Sequence, residues 1–197
     1  SFGEKSPEDQ QKAVLQRLTA KWLAGVDIRD RGTTAVSAIG WADPALKASD
    51  WKTMELPTFW EKAGLPRLNG VVWFRKDVDI PASMAGRRAL LSLGNVDNIG
   101  QTYVNGQLVG AAAGSAQVRN VRLPAGLLKE GLNVIAVRVI DDAGAGGFAG
   151  QPADMKIEFT DKSGTQTIAL AGEWRYKVGL NKLRRRPADR SATRRLG

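Results

Sequence analysis

Carboxylates are the main candidates for chemistry in this 197-residue chain, because it contains no histidine and no cysteine. Those absences exclude an imidazole base, a Ser-His-Asp or Cys-His triad, a thiolate nucleophile and a zinc site built on His or Cys. What remains is carboxylate-only acid–base chemistry, a metal site of oxygen ligands, or binding. We expect no cofactor and no metal.

Two acidic pairs could serve such chemistry. Asp141-Asp142 is compatible with an acid–base pair or with the start of a calcium site, since hard cations take carboxylate oxygens. Adjacent residues at a strand end point to opposite faces, however, so these two carboxylates cannot readily share one substrate. Solvated loop acids are therefore the default interpretation. Asp97 with Asn98 is a weaker pair, whose alternative is a turn closed by side chain–backbone hydrogen bonds.

The elements that must position these residues are short β-strands from about residue 71 onward. Asn105-Gly106 is the strongest hairpin signal, because a type I′ turn needs positive φ at both central residues. Eight or nine strands at this spacing predict an all-β fold, an antiparallel β-sandwich or barrel. The predicted strands are 71–80, 89–93, 102–104, 107–109, 118–123, 133–140, 155–159, 167–170 and 174–178.

A helix is predicted before the strands. Ser6-Pro7-Glu8-Asp9 is typical of a helix start, and Gly25 is placed to end the helix. Residues 26–40 show no clear period and indicate a connector. The predicted organisation is a helix with its connector (1–40), a sandwich (41–180) and a basic tail (181–197) that is predicted to be disordered.

The net charge of +9 belongs mainly to that tail. Residues 182–197 carry seven cations and one anion, which is +6 of the +9. The tail could bind polyanions electrostatically, but a linker or a truncation is the favoured interpretation, so nucleic acid is an unlikely partner. No apolar stretch approaches the roughly 20 residues that cross a bilayer, and we expect no membrane partner.

Strand parity predicts where a ligand would bind. If successive strands run antiparallel, one end of the sandwich collects the longer, glycine-rich loops 57–70, 94–100, 111–117 and 141–150. Trp60 lies in this set and is the best candidate for an aromatic platform against a sugar ring. Trp73 and Trp174 are expected in the core, whereas Trp41 and Trp51 could fasten the connector to the sandwich.

A family resemblance extends over roughly residues 40–180. The motifs that carry it are Asp50-Trp51 through Pro57, Trp60-Glu61, Leu68-Asn69-Gly70 through Lys76, Thr102-Tyr103-Val104-Asn105-Gly106 through Gly110, Gly126-Leu127-Leu128, Gly131-Leu132-Asn133 through Val139, and Leu170-Ala171-Gly172-Glu173-Trp174. Together they resemble the jelly-roll, galactose-binding-like domain of sialate O-acetylesterase-like carbohydrate esterases. They are more distantly similar to the sugar-binding domain of β-galactosidase-type glycoside hydrolases.

The resemblance implies an accessory module rather than an enzyme. In that esterase family the jelly roll is inserted into an SGNH hydrolase domain, which supplies the serine, aspartate and histidine of catalysis. Neither a Gly-Asp-Ser block nor a histidine occurs in this chain. The expected partners are therefore the SGNH domain of a parent enzyme and a carbohydrate, either an acetylated glycan or a plant polysaccharide. The expected location is extracellular or periplasmic.

The candidate carbohydrate-binding residues are Trp60, Asn69, Asp97, Asn98 and Arg119. Arg119 matches a family position and could contact a carboxylate-bearing sugar or the hydrolase domain in a bidentate manner; a surface ion pair is the alternative. The chain departs from the family at three places: Ser115 and Val121 stand where relatives have aromatics, and Gly100 where they have an acid.

Three alternatives stay open. The domain could be a purely structural insertion that binds no glycan, or it could bind polyanions through the arginine-rich tail. An independent glycosidase that uses carboxylates alone is the least favoured.

Overall fold

The computed structural model describes residues 20, 24–33, 39–97, 99–113 and 118–182; the side chains of residues 99, 112, 113, 118 and 119 are not described. The chain forms two antiparallel β-sheets, which confirms the all-β sandwich. The predicted N-terminal helix start and most of the basic tail lie outside the described residues. Within them, no helix has the length and apolar character to span a membrane.

Within the described residues, eleven strands build the sandwich. They are β1 (Lys52–Leu56), β2 (Gly70–Ile80), β3 (Ala89–Asp97), β4 (Ile99–Val104), β5 (Gln107–Ala113), β6 (Val118–Leu123), β7 (Gly131–Asp141), β8 (Gly147–Ala149), β9 (Met155–Asp161), β10 (Gly164–Ala169) and β11 (Gly172–Asn181). Three short 3-10 helices occupy Gly40–Ala42, Trp60–Lys62 and Pro152–Asp154. The sequence analysis missed β1, whose residues are largely polar, and β8, which has three residues.

One sheet has six strands in the order β1-β11-β2-β7-β4-β5. The second sheet has the order β10-β9-β3-β6, with β8 pairing to β3. Asn105 and Gly106 have φ angles of 49° and 81° and join β4 to β5, so the predicted type I′ turn is confirmed. The side chain of Asn105 also donates to Asn133 Oδ1 at 2.8 Å, which ties the turn to β7.

The main core lies between the sheets, where Phe74 of β2 meets Phe148 of β8 at 5.0 Å between ring centroids. Trp174 is buried in this core and donates its indole N–H to Leu170 O at 2.8 Å. The expectation of a core position for Trp174 is therefore confirmed.

A second core covers the outer face of the six-stranded sheet. Strands β2 and β7 are buried on both faces, because residues 24–33 and 39–51, which we name the covering segment, pack across them. Trp41 lies 5.3 Å from Trp51 and 6.3 Å from Trp73 of β2, so these rings fasten the connector as expected.

The covering segment begins with a helical turn over residues 24–27. Gly25 lies inside this turn, and the amide of Ile28 donates to Ala24 O at 3.2 Å. The prediction that Gly25 ends the helix is therefore wrong. Gly25 is not among the glycines with positive φ, so it does not form a left-handed helix cap.

Candidate functional site

Strand register brings the glycine-rich loops to one end of the sandwich, as parity predicts. At this end Gly70 of β2 pairs with Asp141, and Ile99 of β4 pairs with both Ile140 and Ala113. The start of β8 joins them, since Asp97 pairs with Gly147. We name this region the loop end.

Trp60 lies at the loop end but has no exposed surface. Its ring stacks on Phe74 at 6.4 Å, and its indole N–H donates to Leu68 O at 3.2 Å. A ring without exposed surface cannot stack on a sugar, so the expectation of a Trp60 platform is wrong. The loop holding Trp60 folds inward and contributes to the core.

The glycine-rich loop before β8 closes over Trp60. The amide of Trp60 donates to Gly146 O at 2.9 Å, and the amide of Gly146 donates to Glu61 Oε1 at 3.0 Å. A Cβ at Gly146 would lie 2.0 Å from Trp60 Cζ2, so only glycine allows this contact. The loop is therefore a packed cover for the tryptophan.

Asp141 and Asp142 face different environments, as expected for adjacent residues at a strand end, but the interpretation of both as solvated loop acids is wrong for Asp141, which ends β7 in the interior. Asp141 is fully buried and accepts from the amide of Ala143 at 3.2 Å. Asp142 is exposed and forms an ion pair with Lys182. The two carboxylates face different environments and cannot act on one substrate. Within the described residues, no group of three or more acidic, His or Cys side chains could hold a metal.

Two acceptors remain at the loop end on β3. Asn95 and Asp97 are half-buried, and their Oδ1 atoms have little exposed surface and no hydrogen-bond partner among the described residues. The flanking Val96 is buried in the core, so both side chains point away from it. They stand on the outer face of the second sheet, about 7 Å apart along the strand.

A β-bulge turns these two residues outward. The register of β3 against β6 shifts between Ser92 and Asn95, and Gly94 between them has a φ of 67°. The sequence analysis selected Asp97 and missed Asn95, because it ended this strand at residue 93, placed 94–100 in a loop and considered only the pair Asp97 and Asn98 there. A glycine inside a strand pattern was the available signal.

Of the candidate residues other than Trp60 and Asp97, Asn69 alone has a described side chain. Asn69 is half-buried, and its backbone carbonyl accepts from the amide of Lys182 at 2.8 Å. Asn98 lies outside the described residues. Arg119 belongs to β6, but its side chain is not described. Their roles in carbohydrate binding stay predictions.

A groove of about 480 Å³ lies toward the opposite end, between the covering segment and strands β2, β7 and β11. Its walls include residues 44–49, the exposed Leu132 and the Arg175–Asp77 pair, whose charged atoms are 3.7 Å apart. Arg75 forms its base and donates Nη1 to the carbonyls of Trp41 and Asp43, each at 2.8 Å. Burial lowers the pKa of Arg75, against the opposing effect of Asp77 and Asp43.

Comparison with models of protein families shows the family to which this sandwich belongs. The model of the sugar binding domain of glycosyl hydrolases family 2 matches residues 6–146, which is most of the chain. The chain therefore belongs to this family of carbohydrate-binding modules. A comparison with curated proteins finds no match.

Three solved structures illustrate the likeness. The β-glucuronidase of Faecalibacterium prausnitzii is 25% identical over 50% of this chain and 17% of its own, with a TM-score of 0.43. A calcium-binding mutant of Bacteroides uniformis β-glucuronidase 2 is 20% identical over 68% of this chain and 15% of its own, with a TM-score of 0.49. A family 2 glycosyl hydrolase from Bacteroides cellulosilyticus is 16% identical over 70% of this chain and 29% of its own, with a TM-score of 0.48.

This chain thus spans less than a third of each of those proteins. The comparisons support the similarity to β-galactosidase-type sugar-binding domains, and they give no support to a sialate O-acetylesterase or SGNH parent.

Proposed function

We propose that this chain is the non-catalytic sugar-binding module of a longer family 2 glycoside hydrolase, and that it contacts a saccharide at the loop end. The observation that carries the proposal is the family match over residues 6–146. Such a module holds the substrate chain near a catalytic domain that lies elsewhere in the protein. An extracellular or periplasmic location is part of the same proposal.

Hydrogen bonding, rather than ring stacking, is the proposed mode of contact. Trp60 is buried, whereas the side chains of Asn95 and Asp97 are only half-buried and present an amide and a carboxylate on the outer face of the second sheet. An amide donates and accepts hydrogen bonds, a carboxylate accepts them, and a sugar hydroxyl can do both. Two polar side chains about 7 Å apart on one strand would orient a saccharide on the outer face of the second sheet at the loop end.

Affinity electrophoresis through neutral and acidic polysaccharides tests this contact. We expect a retarded wild-type protein and a loss of retardation in Asn95→Ala and Asp97→Ala. Asn120→Ala is the matched control, because Asn120 is an exposed amide on β6 of the same sheet. Retardation that survives both substitutions would contradict the proposed site. No retardation by any polysaccharide would favour a purely structural insertion.

The identity of the parent enzyme needs a separate test. Reading the complete coding sequence around this chain should show a family 2 glycosidase catalytic domain. A Gly-Asp-Ser block before the sandwich and a histidine block after it would instead indicate the esterase parent. Secretion is tested by fractionating the cells that produce the protein.

A further inference from the structure

A buried ionic cluster on the outer face of the six-stranded sheet has no part in the proposed sugar contact. Asp30 of the covering segment is fully buried, and Arg138 of β7 is 2% exposed. Arg138 Nε donates to Asp30 Oδ2 at 2.7 Å. A charge removed from water needs close and complete compensation, so the surroundings of this carboxylate are informative.

Donors from different parts of the described chain surround the Asp30 carboxylate. Besides Arg138, the indole N–H of Trp73 is 3.0 Å from Oδ2 and 3.2 Å from Oδ1. The amide of Gly32 donates to Oδ1 at 2.8 Å. Each oxygen therefore receives a strong donor, and the indole N–H is shared between them.

Arg138 and Trp73, the members of the cluster that belong to the sheet, are also held by contacts that do not involve Asp30. Arg138 Nη1 donates to Gln101 Oε1 at 2.9 Å, and its guanidinium lies 5.8 Å from the ring centroid of Trp73. Tyr103 stacks on Trp73 at 6.0 Å. These contacts within the sheet orient the guanidinium of Arg138 and the indole N–H of Trp73 toward the position of the Asp30 carboxylate.

Two glycines leave room for a carboxylate and little else. A Cβ at Gly179 would lie 2.0 Å from Asp30 Oδ1, and a Cβ at Gly32 would lie 2.2 Å from Trp73 Nε1. Backbone atoms therefore enclose the carboxyl group closely. The space has the size of a carboxylate and is lined by donors that match it.

We propose that the outer face of the six-stranded sheet carries a carboxylate-binding site, formed by Arg138 and Trp73, and that Asp30 is its ligand from the same chain. Binding of this internal ligand docks the first part of the covering segment. The Asp30→Ala substitution removes the carboxyl group and leaves the donors, so a free carboxylate the size of formate or acetate should enter and bind there.

Chemical rescue of the full-length D30A variant tests the site. In sodium chloride we expect a lower thermal unfolding midpoint than in the wild type, because Arg138 Nε and the Trp73 indole N–H stay buried without their acceptor, and Arg138 keeps only its Nη2 ion pair with Asp27 at 2.7 Å. Replacing chloride by formate at equal ionic strength should raise the D30A midpoint saturably, as expected for a ligand that binds only the folded state. The wild-type midpoint should not change, since Asp30 already fills the site.

Two further variants separate site occupancy from a general salt effect. Asp50→Ala is the matched control, because Asp50 is an exposed acid of the same segment whose Oδ2 lies 2.7 Å from Lys177 Nζ. It should show no difference between formate and chloride. Asp30→Asn fills the same volume without the charge, so formate should have no room to bind.

If D30A does not fold in chloride, the yield of refolded protein in formate is compared with the yield in chloride. Equal midpoints or equal yields in the two salts would overturn the proposal. Equal rescue of D30A, D30N and D50A by formate would also overturn it, since that result needs no specific site.

Discussion

The outer faces of the two sheets differ in how their charged side chains are compensated. On the six-stranded sheet, the outer face carries Trp73, Arg75 and Arg138, all nearly buried beneath the covering segment. On the second sheet, the outer-face side chains of β9 and β10 reach solvent. Lys156 and Glu158 pair there at 2.8 Å with 33% and 26% of their side chains exposed, and five of the six residues of β10 are exposed.

The difference shows where specific partners are needed. On the open face, water satisfies most polar groups, so a surface ion pair adds little to stability. On the covered face, Arg75 and Arg138 have left water and depend on particular atoms of the covering segment. The covered face therefore serves folding, and the open face with its loop end is available for a saccharide.

Removing one buried charge should give the largest effect. Arg138→Met leaves Asp30 buried without its cation, and we expect a loss of about 3–5 kcal/mol in the free energy of unfolding. Denaturant titration measures it. Arg122→Met, at an exposed site on β6 of the open face, should change stability by no more than about 0.5 kcal/mol. Similar losses in the two variants would remove the distinction between the faces.

A smaller effect is expected from crowding the carboxylate site. In Gly179→Ala the added methyl group would lie 2.0 Å from Asp30 Oδ1, so the covering segment must shift. We expect a loss of about 1–3 kcal/mol, measured by the same titration. Gly25→Ala is the control, because a Cβ at this helical position meets no atom within 4 Å and alanine favours helix. A neutral Gly179→Ala would show that the enclosure of Asp30 is loose.

The smallest effect is expected at alkaline pH. Burial raises the pKa of the Tyr103 hydroxyl, Arg138 opposes this, and Asp27 and Asp30 add to it. The folded protein thus keeps the Tyr103 proton above the unfolded-state pKa of about 10, and stability should fall as the pH rises from there through the folded pKa. Ultraviolet absorbance of tyrosinate measures the titration. Ionisation of Tyr103 at or below its ordinary pKa would contradict a buried hydroxyl.

Local patterns predicted the strands well, because each pattern depends on near neighbours. Val71 to Phe74 alternates between two apolar environments, and Asn105-Gly106 has the conformation that its turn type requires. Trp60 was misjudged for the same reason. Its position in a long loop indicated exposure, and nothing local revealed that the loop folds inward and that Gly146 closes over it.

The sequence alone could not have identified Asn95 as an outward-facing residue or Asp30 as the partner of Trp73 and Arg138. The outward position of Asn95 depends on a bulge, which follows from pairing with β6. Asp30 lies in a stretch without periodicity, and its partners Trp73 and Arg138 are 43 and 108 residues away along the chain. An acid without a local pattern is usually solvated, so only the packed fold distinguishes this one.

The sequence by itself determined that the chain is an antiparallel β-sandwich without histidine or cysteine chemistry, because strand alternation, turn residues and composition are local or additive properties. The tertiary structure alone decided that Trp60 is buried, that Asn95 faces outward and that Asp27 and Asp30 pair with Arg138. Those outcomes depend on contacts between residues far apart in the chain, whose energies are set by the removal of water when the sheets and the covering segment pack.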